Sequence, residues 1–228
     1  MMLDKMRQAL QWNAQVYERV RQVLRAGMTE RELLAVVEDT YFRCAGRRIP
    51  YSYDLVSGPR SGAIEGLATD RVLQTGDCVL LDIQAENDGV WCDTTRTFFL
   101  GTPSPYWTKA YATVLAAIRA GEAILRPGIS AEEVYTQVSA RMEQNGFPAL
   151  SHHAGHALGK AKLEAPQFLR GNKQTLCAGM TVTLEPGIYL ADENGIRVEN
   201  NYLVTKDGCQ ALFEYPEDLP YFIITEKG

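Results

Sequence analysis

Apolar side chains recur at helical spacing over residues 3–25, and the same rhythm returns over 106–125. Each run stops at a glycine and then restarts. The first restart reads Arg25-Ala26-Gly27-Met28-Thr29-Glu30-Arg31-Glu32-Leu33, and the second Arg126-Pro127-Gly128-Ile129-Ser130-Ala131-Glu132-Glu133-Val134. Thr29 precedes Glu32 by three positions, as Ser130 precedes Glu133. That spacing lets the hydroxyl and the glutamate each cap the other's backbone N–H at a helix start. Helical periodicity then continues to Ala45-Gly46 and to Asn145-Gly146. Each half of the chain is expected to supply two consecutive helices.

Strand patterns repeat as well. Gly76-Asp77-Cys78-Val79-Leu80-Leu81-Asp82 matches Gly179-Met180-Thr181-Val182-Thr183-Leu184-Glu185, acid on acid, at an offset of 103. Both strands run on to a hairpin signal, Asp88-Gly89 in the first and Asn194-Gly195 in the second. Four residues past each turn glycine comes another acid, Asp93 or Glu199. The pattern predicts a single α+β domain over 1–228, with pseudo-two-fold halves of about 1–102 and 103–228. Packing the two hairpins together would bring four carboxylates into one place; duplicated hairpins whose acids face water are the alternative.

A two-residue Asp88-Gly89 turn sets Gln84 opposite Asp93 and points Asp82 to the same face. Asp82 and Asp93 are then diagonal neighbours, about 7–8 Å apart at the backbone. A two-residue Asn194-Gly195 turn instead sets Leu190 opposite Glu199 and gives Glu185 the wrong parity. A bulge or bend at Pro186-Gly187 is needed to correct it.

All three histidines of the chain fall within His152-His153-Ala154-Gly155-His156, which suggests a site, since imidazole is the commonest metal ligand. Asp82 lies in the apolar run Cys78-Val79-Leu80-Leu81-Asp82-Ile83, where a carboxylate is costly unless a cation compensates it. Four carboxylates and one imidazole suit two divalent ions (Mn, Co, Fe or Zn) about 3.5–4 Å apart, activating a water against a carbonyl. With 46% hydrophobic residues among 228 the chain has ample core. A net charge of −5 without Lys or Arg runs argues against nucleic acid as a partner. Five cysteines without close pairing read as reduced thiols of a cytoplasmic protein. The N-terminus is no signal peptide, and no apolar run reaches the ~18 residues of a membrane span.

Four ordered motifs carry a resemblance. Asp82 through Cys92-Asp93-Thr94-Thr95-Arg96-Thr97 resembles the "D-x10-D-x-T-R-T" signature of the pita-bread metallopeptidases, which include methionine aminopeptidase, Xaa-Pro aminopeptidase, prolidase and the non-peptidase creatinase. Gly155-His156-Ala157-Leu158-Gly159 is similar to their "GHxxG", and Met180 through Tyr189 to "M-x-x-T-x-E-P-G-x-Y". Gly195-Ile196-Arg197-Val198-Glu199-Asn200 resembles "G-I-R-x-E-[DN]". The resemblance implies a pita-bread fold around a central curved antiparallel sheet. It also implies metal ligation by Asp82, Asp93, His156, Glu185 and Glu199, with Asp93 and Glu199 bridging two ions and Glu185 helping to deprotonate the water. Ser57-Gly58-Pro59, Thr69-Asp70-Arg71 and His152 are similar to the prolidase and Xaa-Pro aminopeptidase branch. Its usual creatinase-like N-terminal domain is expected to be absent here.

Two positions depart from that branch. Where its peptidases carry substrate-holding histidines, this chain has Glu65 and Leu163. One such donor is typically worth ~10²–10³ in rate. Three readings stay open: an Xaa-Pro peptidase in which His152 supplies the remaining donor, a metal-dependent enzyme acting on a non-peptide small substrate, and a metal-binding homologue without turnover. The five retained ligand positions argue against the last. Glu65, His152, Leu163 and Arg197 are the expected substrate-side residues. Arg197 is equally readable as a salt-bridge partner of a ligand carboxylate. His153 is expected to be packed or solvated, Tyr189 a buried aromatic, Cys92 core, and Arg60 a solvated loop residue or a contact for an acidic substrate group. In the tail from Tyr215-Pro216 to Lys227, the stretch Tyr221-Phe222-Ile223-Ile224 reads as a last strand or a dimer contact. A homodimer is the expected assembly.

Overall fold

The repeat in the sequence is a repeat in space. In the computed structural model, which describes residues 1–225, helices α1 (Met2–Val23) and α2 (Glu30–Ala45) are matched by α3 (Pro105–Glu122) and α4 (Ala131–Gln144). Thr29 Oγ1 accepts from Glu32 N at 3.1 Å while Glu32 Oε2 accepts from Thr29 N at 2.7 Å, and Ser130 and Glu133 repeat the exchange. Gly27 and Gly128 share a φ of 86° in the turns between paired helices. They do not stop the helices as expected, since α1 and α3 already end at the caps Leu24 and Ala123. Even the isolated bridges correspond, Thr29 with Val72 and Ser130 with Thr175.

The first sheet runs in the order β1-β2-β3-β11, from β1 (Tyr51–Ser57), β2 (Cys78–Asn87), β3 (Val90–Leu100) and, parallel to β3, β11 (Ile223–Ile224). Of Tyr221-Phe222-Ile223-Ile224 only the last two form a strand, since Tyr221 and Phe222 belong to a short helix over Leu219–Phe222; Lys227 lies outside the described residues. The second sheet is ordered β10-β9-β6-β4-β5, from β4 (His156–Leu158), β5 (Glu164–Gln167), β6 (Thr181–Leu184), β9 (Asn200–Val204) and β10 (Cys209–Ala211). A two-stranded ribbon of β7 (Gly187–Tyr189) and β8 (Gly195–Arg197) extends the second hairpin. The halves meet where Glu199 N donates to Thr95 O at 3.1 Å and Thr97 Oγ1 donates to Arg197 O at 2.9 Å.

Helix α1 covers β2 and β3 with Met6, Leu10, Val16, Tyr17 and Val20, all buried. Two polar groups on this face are satisfied by the sheet. Asn13 Nδ2 donates to Ile83 O and Thr94 Oγ1 at 2.9 and 2.8 Å, and the Tyr17 hydroxyl donates to Thr94 O at 2.7 Å. Cys92 is buried against Asn13 on the same side. With the helices on one face, the other face of the central strands is free to hold the acids.

The first hairpin has the expected register. Asp88 and Gly89 both take positive φ, Asn87 faces Val90, and Gln84 faces Asp93. The second corrects the expectation. Its turn is not Asn194-Gly195, because Gly195 is already in β8 opposite Tyr189, and Asp192 takes the left-handed conformation in a loop over 190–194. Leu184 faces Asn200 and Gly187 faces Arg197. One register therefore crosses the break at Pro186 and sets Glu185 level with Glu199, so the parity is right without a bulge.

Candidate metal centre

Asp82 leaves β2 and Asp93 leaves β3 on the face away from α1, while Glu185 and Glu199 stand where the second hairpin changes partners. All four are buried: Asp93 is 2% exposed and Glu199 1%. Hydrogen bonds fix one edge of each. Thr95 Oγ1 is shared between Asp82 Oδ2 at 2.9 Å and Glu199 Oε2 at 2.8 Å. Gln84 Nε2 donates to Asp93 Oδ2 at 2.7 Å, and Thr183 Oγ1 to Glu185 Oε1 at 2.9 Å. The other edge is left open: Asp82 Oδ1, Asp93 Oδ1 and Glu199 Oε1 are buried without any partner. Desolvated, unpaired carboxylate oxygens are costly, and a cation is the group that relieves several at once.

His156 sits among them. Its Nδ1 is 2.9 Å from Ala157 O, which can only accept, so Nδ1 carries the proton and Nε2 presents a lone pair. That Nε2 is 3.5 Å from both Asp93 Oδ2 and Glu185 Oε1. Ligand atoms of Asp93, His156 and Glu199 all lie within 4.8 Å of one another. Oxygen-rich donors with one imidazole suit divalent Mn, Co, Fe or Zn. The residues present fit the metal centre.

The electrostatics agree. Burial, then the charges of Asp82 and Glu185, push the Asp93 carboxyl well above its ordinary range. Burial and the charges of Asp93, Glu185 and Asp82 do the same to Glu199. Glu185 goes the other way: burial raises it, but the adjacent His153 ring and the other two histidines outweigh that and hold it below the carboxylate range.

His152 and Tyr189 form the wall. His152 Nδ1 lies 2.7 Å from His153 O and so donates its hydrogen there, leaving Nε2 to accept from the Tyr189 hydroxyl at 2.9 Å. Burial pushes the His152 imidazole down to about 4 and the Tyr189 phenol up to about 12, so at neutral pH the ring is neutral and the hydroxyl keeps its proton. Arg197 donates to the Tyr189 oxygen at 3.0 Å, to Ile64 O at 3.1 Å and to Asp82 Oδ2 at 2.7 Å. Its guanidinium is buried and committed to protein partners.

The pattern of metallopeptidase family M24 matches residues 4–206. The chain belongs to that family. It is 30% identical over 194 residues to an Xaa-Pro dipeptidase of Pyrococcus horikoshii, covering 85% of this chain and 55% of the relative. Dipeptidase PepE from Mycobacterium ulcerans superposes with a TM-score of 0.93 at 29% identity, over 99% of this chain and 60% of that one. Prolidase from Pyrococcus furiosus gives 0.90 at 26% identity, over 94% and 64%. The fold is the pita-bread fold of these M24 enzymes. The chain spans about half the length of the curated relatives it matches.

A cleft of about 430 Å³ leads to the centre of this M24 domain. Glu65 and Leu163 both line it and both are exposed. So do His153 and Asp54, which sequence reasoning missed. His153 Nδ1 is 3.3 Å from Glu185 Oε1, a charge contact without hydrogen-bond alignment, so the ring is neither simply packed nor simply solvated. The doublet of histidines was the available signal for it. Arg60 is a correction too. It pairs with buried Glu30, which also takes hydrogen bonds from Ser57 and Thr69, so it is a structural residue and not a substrate contact.

Gly155 places His156. Its φ is 153°, and a Cβ there would lie 2.1 Å from Thr183 O. Gly155→Ala is expected to cost about 1–3 kcal/mol, lowering the melting temperature by roughly 2–12 °C at 2–4 °C per kcal/mol. A calorimetric scan checks this, and an unchanged melting temperature would refute the close approach.

Proposed function

We propose that the chain is the catalytic domain, over 1–228, of a metal-dependent hydrolase that cleaves peptide or amide bonds, in the manner named for its Xaa-Pro dipeptidase relatives. The observation that carries this reading is a set of three buried, unpartnered carboxylate oxygens, on Asp82, Asp93 and Glu199, at a site where ligand atoms of Asp93, His156 and Glu199 lie within 4.8 Å of one another. Asp82, Asp93, His156, Glu185 and Glu199 would hold two divalent ions. When bound, such a pair lowers the pKa of a water and polarises a carbonyl. Glu185, kept anionic, accepts the proton of the attacking water and hands it to the leaving amine. Thr183 holds that carboxylate in place, and Thr95 ties Asp82 to Glu199 so that both hairpins present their acids in one geometry. Arg197, through Tyr189, fixes His152 in the wall.

A second reading, a small non-peptide substrate, is favoured by one specific observation. Both ring nitrogens of His152 are spent on protein partners. The two positions that resemble the family's substrate-holding histidines are Glu65 and Leu163, and His153, which also lines the cleft, lies against Glu185 at 3.3 Å. Stabilisation of a peptide oxyanion from the protein side is therefore thin. Manganese, cobalt, iron or zinc, a cytoplasmic setting and a homodimer that shelters the open cleft complete the proposal; no helix among the described residues is long and apolar enough to cross a membrane.

The test is turnover of Xaa-Pro dipeptides and tripeptides by stripped protein reloaded with Mn²⁺ or Co²⁺, with Asp93→Ala as the blank. Metal-dependent cleavage absent from the blank establishes the peptidase. Metal uptake without any cleavage overturns it in favour of the second reading.

A further inference from the structure

The cleft has an acidic wall that metal binding does not use. Asp54, on β1, faces Asp82 directly in the β1–β2 register. One of its oxygens is engaged: Oδ1 accepts from Gly66 N at 2.9 Å. Gly66 O in turn accepts from Leu55 N at 2.9 Å, and Ile64, whose φ of 76° is unusual for a β-branched residue, has its carbonyl held by Arg197. The segment Ile64-Glu65-Gly66 is thus pinned on both sides of Glu65. Asp54 and Glu65 line the same cleft, and neither forms an ion pair with Lys or Arg among the described residues. Asp82 and Asp93 line the same cleft, each more than nine-tenths buried and each with one oxygen, Oδ1, without a partner. A cavity whose floor lacks partners is one built around a ligand.

Charge then decides what kind. Four carboxylates balance two divalent ions, so a filled centre leaves only the single buried charge of Arg197 against the two of Asp54 and Glu65. Arg197 is already paired with Asp82 at 2.7 Å. Lys162, the remaining cation of the lining, donates to Ser52 Oγ at 3.0 Å. An uncompensated carboxylate beside Asp82 is repelled by it, and an organic cation relieves that repulsion. We propose that Asp54 and Glu65 form a subsite for a protonated amine or guanidinium on the substrate, one strand away from the scissile amide. This rests on the hydrolase reading for the position of that amide.

The probe is 5-aminopentanamide against pentanamide, which differ only in the ammonium group. Both are titrated calorimetrically into Mn²⁺-loaded protein, with metal content assayed in parallel. The subsite predicts binding of the ammonium amide at least about tenfold tighter, the worth of one charge-assisted hydrogen bond. Glu65→Gln and Asp54→Asn should each shrink that preference, as should added salt. Equal affinities, or no binding of either amide, would overturn the subsite and leave the hydrolase reading untouched. A preference for the ammonium amide in protein that takes up no metal would keep the subsite and sink the metallohydrolase.

Discussion

Stripped of metal, the protein is expected to lose stability as pH rises from about 5 to 8, and Mn²⁺ is expected to restore it. Asp93 and Glu199 are both pushed well above the carboxylate range, by burial first and then by neighbouring acids. A group whose folded pKa is raised contributes stability that is complete below its unfolded value, near 4, and lost as pH climbs through the folded one. Glu185 has the opposite sign, since the histidines hold it low; its contribution disappears only in strong acid. His152, lowered to about 4 by burial, opposes this up to its unfolded value of about 6.5. One imidazole is outweighed by two carboxyls, so the metal-free melting temperature should fall with pH, most steeply above about 6.5. Two ions at a hundred times their dissociation constants would add roughly 5 kcal/mol, and at 2–4 °C per kcal/mol that is about 10–20 °C. The rise should be larger at pH 8 than at pH 5, because cations compete with protons for the same oxygens. Thermal scans of stripped and reloaded protein decide it. A metal-free melting temperature that climbs steadily with pH would contradict the assigned burial of these acids.

What could be read from the sequence follows a physical division. Local signals gave local structure: Thr29 with Glu32 and Ser130 with Glu133 start helices as their spacing demands, and Asp88-Gly89 fixes the register of Gln84 against Asp93. The same logic misled at Asn194-Gly195, where the dipeptide imitates a hairpin turn. Asn194 instead reaches across the halves and accepts from Cys78 N at 2.9 Å, a contact 116 residues distant in the chain. Arg60 fails for a similar reason: its partner Glu30 belongs to another element. The four candidate carboxylate ligands were legible because the acid pair repeats in both halves, and His156 because it stands in the cluster that holds all three histidines. The contents of the cleft were not, since His153, Tyr189 and Asp54 acquire their surroundings only when loops from both halves close over the sheet.

Restoring the absent imidazoles should bring out peptide cleavage. His152 has its Nδ1 hydrogen on His153 O and its Nε2 lone pair on the Tyr189 hydroxyl, so in this arrangement it offers no N–H to a substrate. Glu65 and Leu163, the positions that resemble the histidine sites of prolidase-like enzymes, line the cleft. Leucine donates nothing, and an ionised glutamate repels a developing oxyanion. Leu163 is 45% exposed and Glu65 is exposed too, so Leu163→His and Glu65→His empty no core and should leave the melting temperature nearly unchanged. Each donor regained at the transition state is worth about 10²–10³ in rate. Since both would act on one tetrahedral centre, their effects need not multiply. The double variant, reloaded with Mn²⁺, is expected to cleave an Xaa-Pro dipeptide at least about 10²-fold faster than the parent, mainly through kcat. Glu65→His should also abolish any preference for the ammonium amide, because it replaces an anion with a neutral or cationic ring. Full metal content with no gain in cleavage would show that these positions do not face the scissile bond. A gain carried by KM alone would assign them to ground-state binding.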